Sequence, residues 1–456
     1  MSIPTPPSLP LDPPVAERAA AAPAARMSSS FYIIWSTQFA SMFGSQLTAF
    51  AIGVWLFQRT GSVISFTQFV LFSTLPALLM MPWSGAIADQ WRKRSILLVS
   101  EAVAIACTAT MALLFWLDVF HVWQLYALQA VLSLSIGLQG PAASAAITTL
   151  VPKAHYGRAS GLYQIATAIS QFAAPLLAAV MLGRIGIFGI LVLDVLTFLV
   201  AIVGVLFARI PDAPTVSTAD GTAPVRRSAM GDVKWALGFL HQRPAMGTVF
   251  VYRVIGALFT GMVLVLIGPL VLAQHSEQVF AAVSTFGAIG ALSSGLLLVV
   301  WGGMKQWRPW VLALNVVQGL AIAVAGLQSS AVVLCACAYV VMLCSSTLAG
   351  STSAIWRRKV PHDRQGNFAA FQQAIGLAIL PVSASIGGVL AQYVFEPALM
   401  QGADWSGTVG AWFGTGPGRG TSFLFVVMGA LASLVALVSL LDRRVYRVEE
   451  EVPDAV

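Results

Sequence analysis

Three ionisable residues stand inside long apolar stretches of the chain, where an ionised side chain is costly and needs an explanation. They are Asp194, Glu101 and Arg253. An acidic side chain that faces a water-filled cavity can take up and release a proton. Asp194 and Glu101 are therefore candidates for proton coupling, and the buried Arg253 is the third candidate. For Asp194, structural pairing with a helix terminus or a hydroxyl group is the alternative, and it stays open.

A second group of residues could bind an organic molecule. A drug-sized ligand needs a mostly apolar cavity with a few polar anchors, and glutamines are unusually numerous in the apolar stretches. The candidates for lining such a cavity are Gln38, Gln46, Gln164, Gln373, Tyr163 and Phe371. Hydrogen bonding between helices is the alternative for each glutamine.

Other residues with chemical potential lack the spacing that their chemistry requires. Cys335 and Cys337 are two positions apart, which puts them on different sides of a helix and does not suit zinc. The glycine-rich run at 414–420 lacks the lysine and hydroxyl residue of a phosphate-binding loop. We therefore predict no metal site, no cofactor and no enzymatic activity.

The composition indicates a membrane protein. Of the 456 residues, 58% are hydrophobic and only 9% are charged, and the mean hydropathy is +0.82. A soluble domain carries about 25% charged residues, so this chain has too few charges to cover a soluble surface. Its four cysteines cannot crosslink a chain of this length. These numbers exclude a cytosolic enzyme, a disordered chain and a disulfide scaffold.

Twelve apolar runs are long enough to cross a membrane as helices, which takes about 20 mostly apolar residues. They do not show the alternating polarity of a membrane β-barrel. The runs lie near 31–57, 63–88, 95–117, 122–150, 158–183, 186–208, 246–273, 279–301, 309–327, 330–356, 365–394 and 421–441. The predicted fold class is an all-α integral membrane protein with twelve transmembrane helices.

The positions of the basic residues predict the orientation, because Lys and Arg are retained on the cytoplasmic side of short loops. With the N-terminus inside, 22 of the 25 Lys and Arg residues fall on the cytoplasmic side, and only Arg59, Arg184 and Arg419 fall outside. We therefore expect a multi-pass protein of the plasma (inner) membrane with both termini cytoplasmic. The net charge of +7 then marks topology and no nucleic-acid site.

The spans group into two bundles of six helices. The predicted division is a disordered cytoplasmic tail at 1–30, an N-terminal bundle at 31–208, a cytoplasmic linker at 209–245, a C-terminal bundle at 246–441 with an external loop at 395–420, and a cytoplasmic tail at 442–456. Val233, Leu237 and Leu240 share one helical face in the linker, which predicts a short interfacial helix.

The two bundles carry an internal repeat. Pro152 and Gly157 follow the fourth span, and Pro361 and Gly366 follow the tenth, with the same offset for both pairs (361 − 152 = 209 and 366 − 157 = 209). Parallel repeats of this kind are typical of transporter halves. The repeat favours two equivalent six-helix bundles around a central cavity.

The loop between the second and third spans carries Gly85, Asp89, Lys93 and Arg94. This spacing is similar to the signature loop of the major facilitator superfamily. The segments at 44–49, 58–62 and 193–198 resemble the branch that includes the enterobactin exporter and macrolide efflux proteins. The four loop residues are the candidates for a conformational latch, in which Asp89 pairs with Arg94; a purely topogenic role is the alternative for the two basic residues.

The resemblance implies the major facilitator fold and transport by alternating access. It further implies export of an amphipathic small molecule, such as a siderophore, a macrolide or a peptide-like natural product, by proton antiport, and hence multidrug resistance. The expected partners are the small-molecule substrate, the proton and the lipid bilayer, and a monomer is sufficient. A nutrient or metabolite importer of the same fold is the first alternative, and a membrane-embedded enzyme or lipid scramblase is the second.

The topology can be tested with reporter fusions. Green fluorescent protein fused after Val456 should fluoresce, and alkaline phosphatase fused at the same position should be inactive, because both reporters would be cytoplasmic. Phosphatase inserted after Gly407 should be active in the external loop. An active phosphatase at Val456 would contradict an even number of spans with an internal N-terminus.

Overall fold

The structure is a computed structural model that describes residues 27–152, 155–208, 229–301, 307–328, 330–360, 365–400, 402, 405, 407 and 409–441. This part of the chain is helical throughout, with turns between the helices and no strand. The termini and most of the linker, which were predicted as the tails 1–30 and 442–456 and part of 209–245, lie largely outside the described residues.

The helices follow the predicted spans closely. They are α1 Ser29–Thr60, α2 Val63–Gln90, α3 Lys93–Trp116, α4 Val122–Leu150, α5 Tyr156–Phe207, α6 Ala229–Gln242, α7 Pro244–Gln274, α8 Glu277–Trp301, α9 Trp307–Leu327, α10 Ala331–Lys359, α11 Gln365–Val389, α12 Val409–Phe413 and α13 Arg419–Leu441. A π-helical segment Leu390–Phe395 and a turn Glu396–Ala398 continue α11.

Short turns separate the helices because the sequence supplies their caps. Gly61 ends α1 in the left-handed region at φ 58°, and the Ser62 hydroxyl accepts a hydrogen bond from the Ser65 N–H at the start of α2. Within α5, Gly186 has φ 64° and interrupts the helix, so residues before and after it form two membrane-length segments. These two segments are the fifth and sixth predicted spans.

Ten of the described helical segments are long and apolar enough to cross a membrane. This count treats α5 as a single segment and does not include α4. Twelve spans fit these helices when the two parts of α5 are taken separately and α4 is added.

Two helix pairs recur in both halves. In the N-terminal half, α2 packs on α4 and α3 packs on α5. In the C-terminal half, α8 packs on α10 and α9 packs on α13. Contacts between the halves run mainly from α2 to α11 and from the first part of α5 to α8.

One apolar core joins the two halves at one end, which we call the joined end. It contains Leu47, Phe50 and Phe66 from the N-terminal half and Leu266 and Phe280 from the C-terminal half. The rings of Phe50 and Phe280 stack across the boundary with centroids 4.9 Å apart. In the predicted topology, the joined end is external.

Polar contacts reinforce the joined end. Gln392, at the end of α11, accepts hydrogen bonds at its Oε1 from the Val63 N–H at 2.9 Å, the Ile64 N–H at 3.4 Å and the Ser62 hydroxyl at 3.3 Å. The side chain of one half thus satisfies the unpaired N–H groups at the helix start of the other half. The Thr285 hydroxyl donates to the Phe172 carbonyl at 3.0 Å across the second contact.

At the opposite end, each half has a cluster of its own. Phe31, Ile34 and Leu150 form one in the N-terminal half. In the C-terminal half, Trp356 and Phe368 form another together with residues of α6. Among the described residues, no apolar cluster joins the halves at this end.

The helix predicted in the linker is present as α6, but its buried face differs from the prediction. Ala236, Phe239 and Leu240 are buried, whereas Leu237 is 53% exposed. The reason is that α6 lies against Trp356 and Phe368 of the C-terminal half, which rotates Leu237 outward. The interface of α6 with α10 and α11 selects the face, since the linker sequence is apolar on more than one side.

The segment between α11 and α13, which was predicted as an external loop, is anchored by a buried carboxylate. Glu396 accepts hydrogen bonds from the Thr421 hydroxyl at 2.6 Å, the Thr421 N–H at 2.9 Å and the Gly418 N–H at 3.2 Å. These N–H groups lie at the start of α13, where backbone donors lack helical partners and an acidic group is favoured. Glu396 therefore fixes the start of the last span to the end of α11.

Replacing Glu396 by Ala should lower the midpoint of heat denaturation of the purified protein, because two backbone N–H groups and a hydroxyl lose their buried acceptor, at a cost of about 1–3 kcal/mol. The matched control is Glu277→Ala, since Glu277 accepts exposed hydrogen bonds from the side chains of Gln58 and Gln278 and no buried one from the described residues. Equal effects of the two substitutions would contradict this role of Glu396.

Candidate functional site

A polar cavity lies inside the N-terminal half between α1, α3, α4 and α5, and has a volume of about 220 Å³. Glu101 lines the cavity and is 1% exposed. Its Oε1 accepts hydrogen bonds from Gln139 Nε2 at 2.7 Å and from Gln38 Nε2 at 2.9 Å, and its Oε2 accepts a weaker one from the Ser41 hydroxyl at 3.5 Å. Amide and hydroxyl donors thus hold the carboxyl group.

Helical spacing brings these groups together. Gln38, Ser41 and Ser45 recur on one face of α1, and Ser135 and Gln139 are one turn apart on α4. The rest of the lining is mainly apolar or aromatic and includes Trp35, Phe39, Met42, Tyr163 and Phe198. A carboxyl group with two amide donors in an apolar wall can bind a proton or a polar group of a small molecule.

Asp194 lies beside this cavity without lining it. Its side chain is 2% exposed and its Oδ1 accepts a hydrogen bond from the Thr197 hydroxyl at 3.4 Å. The hydroxyls of Ser45 and Thr48 lie close to the carboxyl group, and Glu101 is near enough to interact with it electrostatically. The hydroxyl groups around Asp194 fit a structural role in hydrogen bonding. The nearby acidic group of Glu101 fits a role in proton coupling.

A glycine makes the position of Asp194 possible. A Cβ built on Gly44 of α1 would lie 2.8 Å from Asp194 Oδ1. Because Gly44 has no side chain, α1 and the second part of α5 approach closely enough for the carboxyl group to reach the hydroxyls of α1. The segments 44–49 and 193–198, which are far apart in sequence, are thus in direct contact.

A second polar cavity occupies the C-terminal half between α7, α9, α10 and α13, with a volume of about 160 Å³. Arg253 lines it and is exposed, which differs from the predicted burial. Asn315 and Gln318 line it from α9, and Gln318 Nε2 donates to the Thr260 hydroxyl at 2.6 Å. Arg253 and Glu101 are in different halves, so they do not form one proton relay.

The two cavities occupy equivalent places in the repeat. On α4, Ile136 and Gln139 line the first cavity, and on α10, Ser345 and Leu348 line the second. Both pairs differ by the offset already found in the loops (345 − 136 = 209 and 348 − 139 = 209). The repeat therefore extends from the sequence to the geometry of the polar cavities.

Only some of the residues predicted to line a cavity are found in the lining of the two cavities. Gln38 and Tyr163 line the N-terminal cavity. Gln46 is exposed on α1 and lines neither of the two cavities described above. Gln164 and Gln373 lie within α5 and α11, but their side chains lie outside the described part of the structure.

Phe371 was predicted to line a cavity, and the structure gives it a packing role. It is buried in the cluster of Trp356 and Phe368, and its ring stacks on Phe250 with centroids 5.6 Å apart. Residues of α6 belong to the same cluster, so the ring of Phe371 is part of the core on which α6 packs.

Sequence reasoning missed Gln139, Asn315 and Gln318. Each is a polar residue in an otherwise apolar run, and Gln139 lies one turn from Ser135 while Gln318 lies one turn from Asn315. A pair of polar residues three or four positions apart within a span was the signal that could have identified them.

The family model that describes the major facilitator superfamily matches residues 34–384 of the chain. The chain belongs to the major facilitator superfamily. It is a multi-pass membrane protein with the fold of this superfamily, as the resemblance of the loop at 85–94 implied.

Relatives in the superfamily are distant. Macrolide efflux protein A of Streptococcus pyogenes is 22% identical over 377 residues, which cover 80% of this chain and 90% of that protein. The uncharacterized MFS-type transporter YfiS of Bacillus subtilis is 23% identical over 408 residues, covering 85% of this chain and 87% of that protein. These matches confirm the predicted resemblance to the macrolide-efflux branch.

Solved structures share the fold. A bacterial homologue of the human lysosomal transporter Spinster, in an inward-facing and unoccupied conformation, has a TM-score of 0.67 at 14% identity, covering 93% of this chain and 99% of that chain. A bacterial homologue of the iron transporter ferroportin in an inward-facing state has a TM-score of 0.64 at 14% identity, covering 90% and 98%. At this identity the likeness concerns the fold alone.

The superfamily's signature loop joins α2 to α3. Gly85 and Asp89 lie near the end of α2, but their side chains lie outside the described part of the structure. Arg94 is exposed, and its Nη2 donates a 2.7 Å hydrogen bond to the Leu206 carbonyl at the end of α5. Lys93 begins α3 and is half-buried. Arg94 thus satisfies an unpaired carbonyl at a helix C-terminus.

Gly44→Ala should lower the midpoint of heat denaturation, because the new Cβ would meet Asp194 Oδ1 and Thr197, and overpacking of this kind costs about 1–3 kcal/mol. Gly140→Ala on α4 is the matched control, since a Cβ at that position would have no other side chain or distant backbone atom within 4 Å. The control should be neutral or slightly stabilising. A neutral Gly44→Ala would show that the α1–α5 contact is looser than described.

Proposed function

We propose that this major facilitator protein exports an amphipathic small molecule by alternating access, driven by proton antiport through the N-terminal half. The observation that carries the proposal is the pair of carboxyl groups, Glu101 and Asp194, buried inside membrane-spanning helices. Among the described residues, no Lys, Arg or His pairs with either of them. An acid without a cationic partner inside a membrane needs another way to balance its charge, and a bound proton provides one.

The two acids have different proposed roles. Glu101 lines the cavity, so it can exchange a proton and also meet a ligand. Asp194 lies behind the lining, at the contact of α1 with α5. Because the two groups interact, they should titrate as a pair, and protonation of Glu101 would alter the α1–α5 contact through Asp194.

Alternating access is supported by the unequal ends of the molecule. One apolar core joins the halves at the joined end, whereas each half has its own cluster at the opposite end. With the predicted orientation, both termini in the cytoplasm and a plasma-membrane location, this arrangement is open toward the cytoplasm. The proposed latch of Gly85, Asp89, Lys93 and Arg94 is at the open end, where Arg94 contacts the end of α5.

The proposed direction and cargo follow from two observations. The named relatives include macrolide efflux protein A from two bacterial species. The N-terminal cavity has aromatic walls around a small polar group, which suits an amphipathic molecule. Macrolides, siderophores and peptide-like natural products are therefore the proposed cargo, and a single chain would be sufficient for their transport.

Cells that express the protein should accumulate less erythromycin or enterobactin than control cells, and a protonophore should abolish the difference. Glu101→Gln should lose most of the export, because the amide cannot bind and release a proton. Asp194→Asn should reduce export less than Glu101→Gln does, because Asp194 is proposed to act through the α1–α5 contact. The measurement is the accumulation of radiolabelled compound at equal expression.

The matched control is Asp118→Asn, since Asp118 is exposed after α3 with φ 56° and Asn tolerates this left-handed conformation. It should export like the wild type. Export that survives Glu101→Gln unchanged would contradict proton coupling at this residue. Accumulation that rises with expression would show import and contradict the proposed direction.

A further inference from the structure

We propose that the cavity of the C-terminal half binds the anionic group, such as a carboxylate, of an amphipathic organic molecule, with Arg253 as its counter-ion. The proposal rests on the export proposal and narrows its cargo to molecules with an anionic group, such as peptide-like products with a free carboxylate; a macrolide with a basic amine would not use this site. The N-terminal cavity would then carry the proton, and the C-terminal cavity would hold the charged end of the cargo.

The first support is an uncompensated charge. Arg253 lies nine residues after Pro244, the first residue of α7 (253 − 244 = 9), which places it about 13 Å along the helix. Among the described residues that line the cavity, none is acidic. No described residue accepts a hydrogen bond from Arg253. A guanidinium group that faces a cavity within a membrane-spanning helix attracts an anion, and a carboxylate can accept two parallel hydrogen bonds from it.

The second support is the pair of amide groups that line the cavity together with Arg253. Asn315 Nδ2 donates to the Val311 carbonyl at 2.7 Å, and Gln318 Nε2 donates to the Thr260 hydroxyl at 2.6 Å. These contacts orient both side chains, and each amide nitrogen has a second N–H. Further donors are thus available to the anionic group besides the guanidinium.

The third support is the apolar remainder of the lining. Phe259, Leu312, Ile322, Leu348 and Val435 form much of the wall. An inorganic anion would gain nothing from these side chains, whereas a ring or hydrocarbon chain attached to a carboxylate would bury its apolar surface against them. The lining therefore favours an amphipathic anion over a free phosphate or chloride ion.

The equivalent cavity of the N-terminal half provides a contrast. Glu101 lines it, and an ionised carboxylate there would repel an anionic ligand. An anionic group would thus favour the C-terminal cavity. Arg253 is in this way a specificity residue, and no proton needs to leave it.

The test is a binding measurement on the purified full-length protein in a nonionic detergent. The probes are tritiated 1-naphthaleneacetate and its neutral amide, 1-naphthaleneacetamide, which share the same ring. The wild type should bind the carboxylate at least about tenfold more tightly than the amide. Arg253→Gln should remove this preference while still binding the neutral amide, which shows that the cavity is intact. Arg253→Lys should retain part of the preference.

The matched control is Arg243→Gln. Arg243 precedes the same helix, lies over the Phe239 ring at 4.1 Å and is outside the cavity lining. This variant should keep the wild-type preference. Equal binding of the two probes by the wild type would overturn the proposal, and so would a preference that survives Arg253→Gln. Displacement of 1-naphthaleneacetate by millimolar sodium phosphate would also overturn it, since the site would then select an inorganic anion.

The outcome is separable from that of the export proposal because binding is measured without transport. A carboxylate preference that depends on Arg253 supports the anion site even if the protein does not lower erythromycin accumulation. Erythromycin export without any carboxylate preference would overturn the anion site and leave the export proposal standing.

Discussion

The apolar core at the joined end is the contact on which the arrangement of both cavities depends. It holds the two halves together through α1, α2, α7 and α8, and leaves each half with a separate cluster at the opposite end. Its individual terms are small: an aromatic pair such as Phe50 and Phe280 contributes about 0.5–1.5 kcal/mol, and a hydrogen bond to Gln392 about 1 kcal/mol. Moving one charge through 100 mV supplies about 2.3 kcal/mol. The energy of one charge is therefore comparable with a few of these contacts and not with the whole core.

Close packing inside the halves has a different origin. Helices in lipid gain little from burying apolar surface against each other, so association depends on close approach and on polar contacts. Gly44 lets the Asp194 carboxyl group reach the hydroxyls of α1, and Gly388 lets α11 lie directly against Thr67 of α2. In the first case a small residue creates a polar site within one half, and in the second it brings the two halves together. A glycine that allows close helix packing is therefore found both at the candidate site and at the contact between α2 and α11, which the proposed alternating access would have to break.

The approximate limits of the described helices could be predicted because the membrane demands about 20 apolar residues for each crossing, and the predicted twelve spans fit them. The repeat offset of 209 could also be read from two loops, and it holds in the cavity linings. The faces of the helices could not be predicted, because a span that is apolar all round has no amphipathic signal to show which side is inside. For this reason Phe371 was expected in a cavity and lies in the core, and Gln139 was missed although it donates to Glu101.

The two equivalent cavities have charged groups of opposite sign, Glu101 in the N-terminal half and Arg253 in the C-terminal half. We therefore propose different roles for the two halves in transport. A carboxyl group such as Glu101 changes charge when it binds a proton, whereas an arginine keeps its charge at the pH of cells. In the proposed division, the N-terminal cavity responds to the proton gradient and the C-terminal cavity holds the anion continuously. Because the two halves touch through α2 with α11 and α5 with α8, a change in the N-terminal half must be transmitted through these contacts to release a ligand from the other half. In this proposal the proton binds in one half and the cargo binds in the other. The contacts between the halves would therefore couple proton binding to cargo release.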